Sequence, residues 1–540
     1  MRLIGIRPAV LALMFSLVLA AGTPARAEGD PHKVKHIIVI MQENHSFDNY
    51  FGALAYAPGS PYHSPGREDR DERSGGCRKG DHGCVDGLTC RVEATGKVTC
   101  SNHNRDDNGS TVFAFHDPRR CVSPDLDHGW ANTHREANFK HPNDTLFQGL
   151  MNGFVLINDQ TEQIDKGESP TDDQAMAFYN QNEVPFYYEL AQKFAINDRY
   201  FASVLGPTFP NRSYLLAATS FGHLTTSDSF PPPGGYKPIT GTIFDLMEKN
   251  QVTWSEYFQD VPAGGSFRSF PSPLDPHFLP LPVFLGQLAG KPGLPPLPEV
   301  SFVDPNLGVL GRKNENDEHP PTDIQRGQAF VSLVVNSVRN SPFWKDSIIV
   351  FTYDEHGGFY DHVAPPRARQ GHAPNPDGIN PGQCADLSNP PLSLQPGQGA
   401  ECSANLLSRN DTTVNDAADL CPEFAADPTG PFPAACANFD QYGIRVPFVV
   451  ISPFSKPSYV SHTVGDHTSI LALIEKVFMT PADSKDKDGG EDEEDAPRPH
   501  LTKRDQHAST LEDMFDFNRS PSLNTKIGVA LPPAMDCTPK

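Results

Sequence analysis

The sequence predicts an α/β fold in which a mainly parallel sheet lies between helices. Three near-continuous apolar runs carry that expectation, at 35–41 (KHIIVIM), 347–353 (SIIVFTY) and 446–452 (VPFVVIS). Such runs suit strands buried on both faces. Helical patterns alternate with them at 184–194, 243–249, 323–338 and 468–478, as in layered α/β domains. With 540 residues and 37% hydrophobic content, the chain can bury the large core such a sheet needs.

Residues 1–27 read as an export signal. Arg2 and Arg7 give a basic start, 9–21 is apolar, and Ala25-Arg26-Ala27 is a small-x-small cleavage site. The alternative is a buried N-terminal helix; the run is too short for a membrane span. The main domain is expected over 28–480, beginning with the strand at 35–41. Residues 66–125 are polar, rich in Gly and Asp, and carry Cys77, Cys84, Cys90, Cys100 and Cys121; they read as an insertion. The run at 252–258 is a weaker strand candidate. A second insertion, 366–440, is rich in Pro, Asn and Ala and carries Cys384, Cys402, Cys421 and Cys436. Cysteines can fix such long loops without a large apolar core. In the strand at 446–452, Pro447 sits near the start, where a strand tolerates it best. Residues 481–500 form an acidic, low-complexity linker expected to be disordered, without the spacing of a calcium loop. A C-terminal segment, 501–540, is expected to pack on the main domain.

The formal net charge is −23, and loss of 1–27, with Arg2, Arg7 and Arg26 but no acid, makes it more negative. So acidic a chain lacks the basic footprint that nucleic acid requires and is repelled by anionic lipid. A phosphate-ester substrate then needs a local positive centre, and a bound metal is the obvious one. All ten cysteines lie beyond residue 27. An even count in an exported chain suggests disulfides, whose pairing the sequence leaves open; a zinc knuckle is disfavoured by the lack of any C-x2-C pair. The expected location is secreted or periplasmic, without a transmembrane anchor. The oligomeric state is left open.

Chemistry concentrates where apolar runs end. Glu43 and Asn44 follow the first strand, within QENHSFDNYFG. Their hard oxygens suit a divalent cation, at the sheet edge where α/β folds bind ligands; alternatively Asn44 or Ser46 caps the next helix. Asp354 and Glu355 follow the 347–353 strand, in DEHGGFYDHV. Adjacent carboxylates repel unless a cation or proton joins them, so a joint metal site is the economical reading and a solvated acidic loop the bland one. Thr208, in GPTFPNR, has a hydroxyl that a cation could activate to attack phosphorus, or it could be a helix N-cap. His128, His319, His362 and His467 each stand beside an acid or just after one. Singly each reads as structural; together they could bind phosphate oxygens and protonate a leaving group. The sequence has no phosphate loop, no G-x-G-x-x-G after a strand and no G-x-S-x-G elbow.

HIIVIMQENHSFDNYFG resembles the signature of the bacterial and plant phosphoesterase family, which contains non-specific phospholipases C and related acid phosphatases. The TFPNR and DEHGGFYDHV blocks, DHGW at 127–130, EHPP at 318–321 and FDF at 515–517 match its other landmarks, in order. The resemblance runs from about Lys35 to about Phe517, sparing the cysteine-bearing insertions. It implies an alkaline-phosphatase-like α/β core. It implies that Glu43, Asn44, Asp354 and Glu355 hold a divalent metal, with Ca, Mg, Mn and Zn all open. Thr208 would be the nucleophile, with His128 and His319 catalytic; Asn211, Arg212, His362 and His467 would contact substrate, and His462 could contribute. His45 stands where the family commonly has Arg. The implied activity is hydrolysis through a phospho-threonine, of phospholipase C type on phospholipid head groups. The alternatives are an acid phosphatase acting on monoesters and a non-catalytic exported protein that binds phosphate or metal. The acidic composition and lack of an amphipathic membrane helix favour soluble esters; the insertions could supply lipid contacts.

Overall fold

Following the chain, β1 (His36–Gln42) buries every side chain from Ile37 onward, which explains its unbroken apolar run. The computed structural model describes residues 29–540 except 67–75, 122–124, 139–148, 166–172, 227–234, 269–274, 312–313, 369–376, 378–436, 482–497, 536 and 538–540. The predicted export signal, most of the second insertion and most of the acidic linker therefore lie outside the described residues.

Ser46 caps α1 (Phe47–Phe51), its hydroxyl accepting from Asn49 N. The first insertion is more ordered than a cysteine-pinned loop. It forms two hairpins, β2 (Cys90–Val92) with β3 (Val98–Cys100) and β4 (His103–Arg105) with β5 (Thr111–Phe113). Disulfides join Cys77 to Cys84 and Cys90 to Cys100. After β6 (Phe115–His116) come α2 (Trp130–Ala137), α3 (Phe154–Asp165) and β7 (Ala177–Phe178), which pairs with β6.

The main body continues with α4 (Pro185–Lys193), β8 (Ala195–Asn197), α5 (Thr208–Ala217), α6 (Ile243–Lys249) and β9 (Trp254–Phe258). Then follow β10 (Phe278–Pro280), α7 (Leu281–Leu288), β11 (Val300–Val303), α8 (Ile324–Arg339) and β12 (Ser347–Tyr353). The chain closes through β13 (Phe448–Ile451), β14 (Tyr459–Ser461), α9 (His467–Ile474) and α10 (Lys503–Gln506). Where a helix was expected over 468–478, α9 passes into a π-helical turn at Glu475–Met479.

Eight strands form one sheet in the order β10-β9-β11-β1-β12-β13-β8-β14. It is parallel from β10 to β12 and again between β8 and β14. The run at 446–452 departs from the parallel pattern: β13 is antiparallel to both β12 and β8. Antiparallel pairing is open to strands joined by any connection, whereas a parallel neighbour requires a crossover. Valines of α8 and the aliphatic face of α9 join the sheet in one apolar core. The C-terminal segment completes that core. Phe515 and Phe517 are buried, Asp516 N donates to Phe454 O at 2.9 Å, and Cys537 is disulfide-bonded to Cys121. Among the described residues, no helix is long and apolar enough to cross a membrane.

One feature of register positions the site. β1 and β12 are adjacent and parallel, with Gln42 level with Tyr353. The residues that follow, Glu43 and Asp354, therefore leave the sheet side by side at its C-terminal edge, the edge where open α/β sheets bind ligands.

Candidate active site

The loop after β1 and the loop after β12 are locked together by their backbones. Asp354 N donates to Gln42 O at 3.1 Å, and His45 N donates to Glu355 O at 3.2 Å. Gly357 (φ +62°) and Gly358 (φ +73°) make the contact possible. A Cβ on Gly357 would lie 2.3 Å from Asn44 O, and one on Gly358 2.5 Å from Leu126 Cβ. Asn44 is itself left-handed (φ +65°) and wholly buried. Ser46, not Asn44, caps the next helix.

Thr208 opens α5 and Pro207 holds the cap position, so the N-cap alternative for Thr208 does not hold. Pro210 falls in the first turn, where a missing N–H costs nothing. Arg212 lies one turn on from Thr208, on the same helix face. Its Nη2 is 3.0 Å from Glu43 Oε1 and its Nε 3.1 Å from Asp354 Oδ2. A cleft of about 310 Å³ is lined by Glu43, Thr208, Arg212 and His319. Phe209, Phe267 and Val261 form the apolar wall.

The histidines separate into two groups. His128 Nδ1–H donates to Leu126 O at 2.7 Å, leaving Nε2 3.6 Å from Glu355 Oε1. His319 Nδ1–H donates to Pro320 O at 2.6 Å, leaving Nε2 3.5 Å from Asp125 Oδ2. The two rings lie 6.4 Å apart. Burial works against the charged form of both. Even so, Glu355 and Asp125 raise His128 to about 10, and Asp125 and Glu43 raise His319 above its usual value. His362 and His467 stand elsewhere and are corrections to the expected substrate set. His362 gives both ring nitrogens to Asp48 and Asp86, at 2.7 and 3.3 Å. His467 is wholly buried, with Nε2 2.7 Å from the Asp354 carbonyl and Nδ1 3.2 Å from Tyr200 Oη. Burial lowers it to about 4, so it is neutral and positions the Asp354 backbone. His462 is held by Asp198 at 2.7 Å, in the same outlying network. Asn211 is also buried and does not line the cleft. Its Oδ1 accepts from Val204 N at 3.0 Å, and its Nδ2 donates to Gly206 O at 2.7 Å and Pro207 O at 3.1 Å.

Burial pushes the Asp354 carboxyl well above the usual range; Glu43 and Glu355 add to that and Arg212 opposes it. Burial would also raise Glu355, but His128 and His356 hold it low. Asn44 Oδ1 and Glu355 Oε1 are buried without a hydrogen-bond partner. Orphaned hard oxygens beside repelling carboxylates are what a divalent cation satisfies, so these four residues fit such an ion. Arg212 already offsets part of the charge on Glu43 and Asp354. Tighter acid–histidine groups among the described residues lie outside the cleft. Two of them include Cys77 or Cys84, whose sulfurs are in a disulfide and offer no thiolate. The third, Asp48, Asp361 and His362, already surrounds the Arg445 guanidinium.

Sequence reasoning missed three supporting groups. Glu136 of α2 holds His356 at 2.8 Å, and His356 in turn reaches Glu355 at 3.4 Å. Asp125 faces His319. Glu318 sits under hydroxyls donated by Tyr50, Tyr187 and Tyr353. Burial raises Glu318 to about 7 against those donors. The motifs held His356 and Glu318, but no spacing tied them to Glu136 or to tyrosines scattered along the chain.

The Phosphoesterase family model matches residues 34–481. The chain is 28% identical over 527 residues to "Non-specific phospholipase C1" of Arabidopsis thaliana, an alignment covering 95% of this chain and 77% of that protein. It is 26% identical over 532 residues to "Phospholipase C A" of Mycobacterium tuberculosis, covering 94% and 82%. Among solved structures, human ectonucleotide pyrophosphatase / phosphodiesterase 5 matches with a TM-score of 0.27 and 11% identity, over 56% of this chain and 91% of that one. The fold assignment rests on the sheet itself and takes nothing from that last match.

Proposed function

The chain belongs to the Phosphoesterase family and is a phosphoric ester hydrolase; from that premise we propose a phospholipase C-type cleavage of phospholipid head groups through a phosphorylated Thr208. The observation that carries the proposal is one cleft lined both by Thr208, Glu43, Arg212 and His319 and by aromatic and aliphatic side chains. The wall suits a diester whose second alcohol is apolar, which favours the lipid reading over an acid phosphatase.

Glu43, Asn44, Asp354 and Glu355 would hold the divalent ion. Bound there, it supplies Lewis-acid polarisation of a phosphoryl oxygen and lowers the pKa of a hydroxyl. The remaining steps belong to side chains of this protein. Thr208, fixed at the start of α5, bonds through its hydroxyl oxygen to phosphorus and gives up its proton to solvent. Arg212 and the protonated His128 offset charge on the phosphoryl oxygens as it develops. His319, whose charged form Asp125 and Glu43 favour, gives its proton to the departing alcohol oxygen as the phosphorus–oxygen bond breaks. The imidazole, then neutral, takes a proton from the water that hydrolyses the phospho-threonine, and the Thr208 oxygen released from phosphorus regains a proton from solvent.

Thr208→Ala is expected to abolish choline phosphate release from phosphatidylcholine while leaving bound metal, measured by elemental analysis, unchanged. Chelation of the native protein is expected to stop turnover, and a divalent salt to restore it. Full activity in Thr208→Ala would refute the nucleophile. An aryl phosphomonoester cleaved faster than the lipid would transfer the assignment to an acid phosphatase.

A further inference from the structure

Turn centres normally carry Gly, Asn, Asp, Pro or Ser. The turn at the cleft mouth does not. Gly311 N donates to Gly308 O at 3.0 Å, which closes a four-residue turn with Val309 and Leu310 at its centre. Val309 is 47% exposed and Leu310 77%, the most exposed large apolar side chain among the described residues. The turn is held from beneath. One carboxylate, Asp260, accepts from Leu307 N and from Val309 N, both at 3.0 Å. Asn306 Oδ1 accepts from Gly308 N at 3.0 Å. A clamped turn that presents two aliphatic side chains to water has no folding reason to do so.

Its place gives a reason. Leu307, Gly308 and Val309 line the same cleft as Thr208, next to Phe209 and Phe267. The turn and the hydroxyl thus open on one cleft. A second turn adjoins its apolar wall. Gly241 N donates to Pro238 O at 2.9 Å, and Ile239, at its centre, is 49% exposed. Tyr236, just before it, packs on Phe209 with ring centroids 5.6 Å apart. The chain as a whole is strongly acidic, which opposes an anionic bilayer.

We infer that the Gly308–Gly311 turn is a lipid-surface anchor. It seats Leu310 and Val309 at the acyl boundary of a zwitterionic phospholipid layer, so that a head-group phosphate enters the cleft toward Thr208. The inference rests on the phospholipid reading above, but binding can be measured without turnover. The full chain carrying Thr208→Ala is sedimented with phosphatidylcholine vesicles, with and without Leu310→Asp. The substitution removes the leucine that would enter the acyl boundary and introduces a charge, so the partition coefficient is expected to fall about tenfold or more. Leu333→Asp, at a 46% exposed position on α8, is expected to bind as the parent does. Equal melting temperatures establish that both variants fold. Unchanged partitioning in Leu310→Asp, an equal loss in Leu333→Asp, or no binding by the parent would each overturn the anchor. If Leu310 governs binding while the native chain releases no head group from the same vesicles, the anchor stands and the phospholipase reading falls.

Discussion

Gly357 packs against the backbone of Asn44 where the loops after β1 and β12 meet, and its lack of a side chain is what permits it. A methyl group there would meet the Asn44 carbonyl at 2.3 Å, and the φ of +62° is unfavourable to any L side chain. Gly357→Ala is therefore expected to push Asn44 and Glu355 apart. We expect a stability loss of about 1–3 kcal/mol and a weakened metal affinity, both readable by denaturant titration with and without added divalent ion. Equal metal affinity in the variant would show that the two loops bind independently. Glu43, Asn44, Asp354 and Glu355 each follow an apolar strand, so their place at the C-terminal edge of the sheet is visible in the chain. His362 and His467 have the same acid-plus-histidine look, but their partners are the distant Asp86 and the backbone of Asp354. Only tertiary packing decides which histidine faces the cleft.

At the level of elements, α5 does most to organise the chemistry, because its first turn carries Thr208 and its second Arg212. Its start is fixed by Asn211, which reaches back to Val204, Gly206 and Pro207. Asn211→Ala leaves those buried backbone groups short of a partner, at about 1–3 kcal/mol. It is expected to lower kcat for a soluble phosphodiester at least about tenfold, as a displaced nucleophile does, with KM nearly unchanged. The opposite split, KM raised and kcat kept, would restore Asn211 as a substrate contact. No helical period marks α5 in the sequence, where Thr208 stands only as a possible N-cap at a strand-to-helix turn; a proline in the first turn is compatible with helix but does not announce one. β1 and β12 were plain, being long and buried on both faces. The three- and four-residue strands β8, β10, β11 and β14 were not, since Ala-Ile-Asn or Tyr-Val-Ser holds too few residues to show a period. Composition also carries no strand direction, which is why β13 departs from the parallel pattern without warning.

Across the whole molecule, distant segments are gathered by buried charge as much as by the sheet. Arg445 donates to Asp361 Oδ1 at 2.9 Å, to Asp48 Oδ1 at 3.2 Å and to the carbonyls of Asp86 and Asp198. His362 joins this cluster. Its side chain is one-fifth exposed. Burial opposes its charge, but Asp48 and Asp86 raise it to about 10. A histidine raised in the folded state stabilises fully below its unfolded value of about 6.5, and that contribution fades as pH climbs toward 10. Urea unfolding from pH 6 to pH 10 is expected to show stability falling in the native protein. The fall should be shallower in His362→Gln, the two profiles converging by on the order of 3 kcal/mol. Parallel profiles would remove His362 from the ledger.

The bond between Cys121 and Cys537 spans 416 positions, and the buried aromatic pair Phe515 and Phe517 lies just before its far end. Translation supplies residues in order, so Cys121 has no partner until Cys537 has been made. The aromatic plug for the core arrives only about twenty residues earlier. Completion of this core consequently waits on residues made long after the sheet: a chain stopped before Phe515 lacks both the plug and the latch.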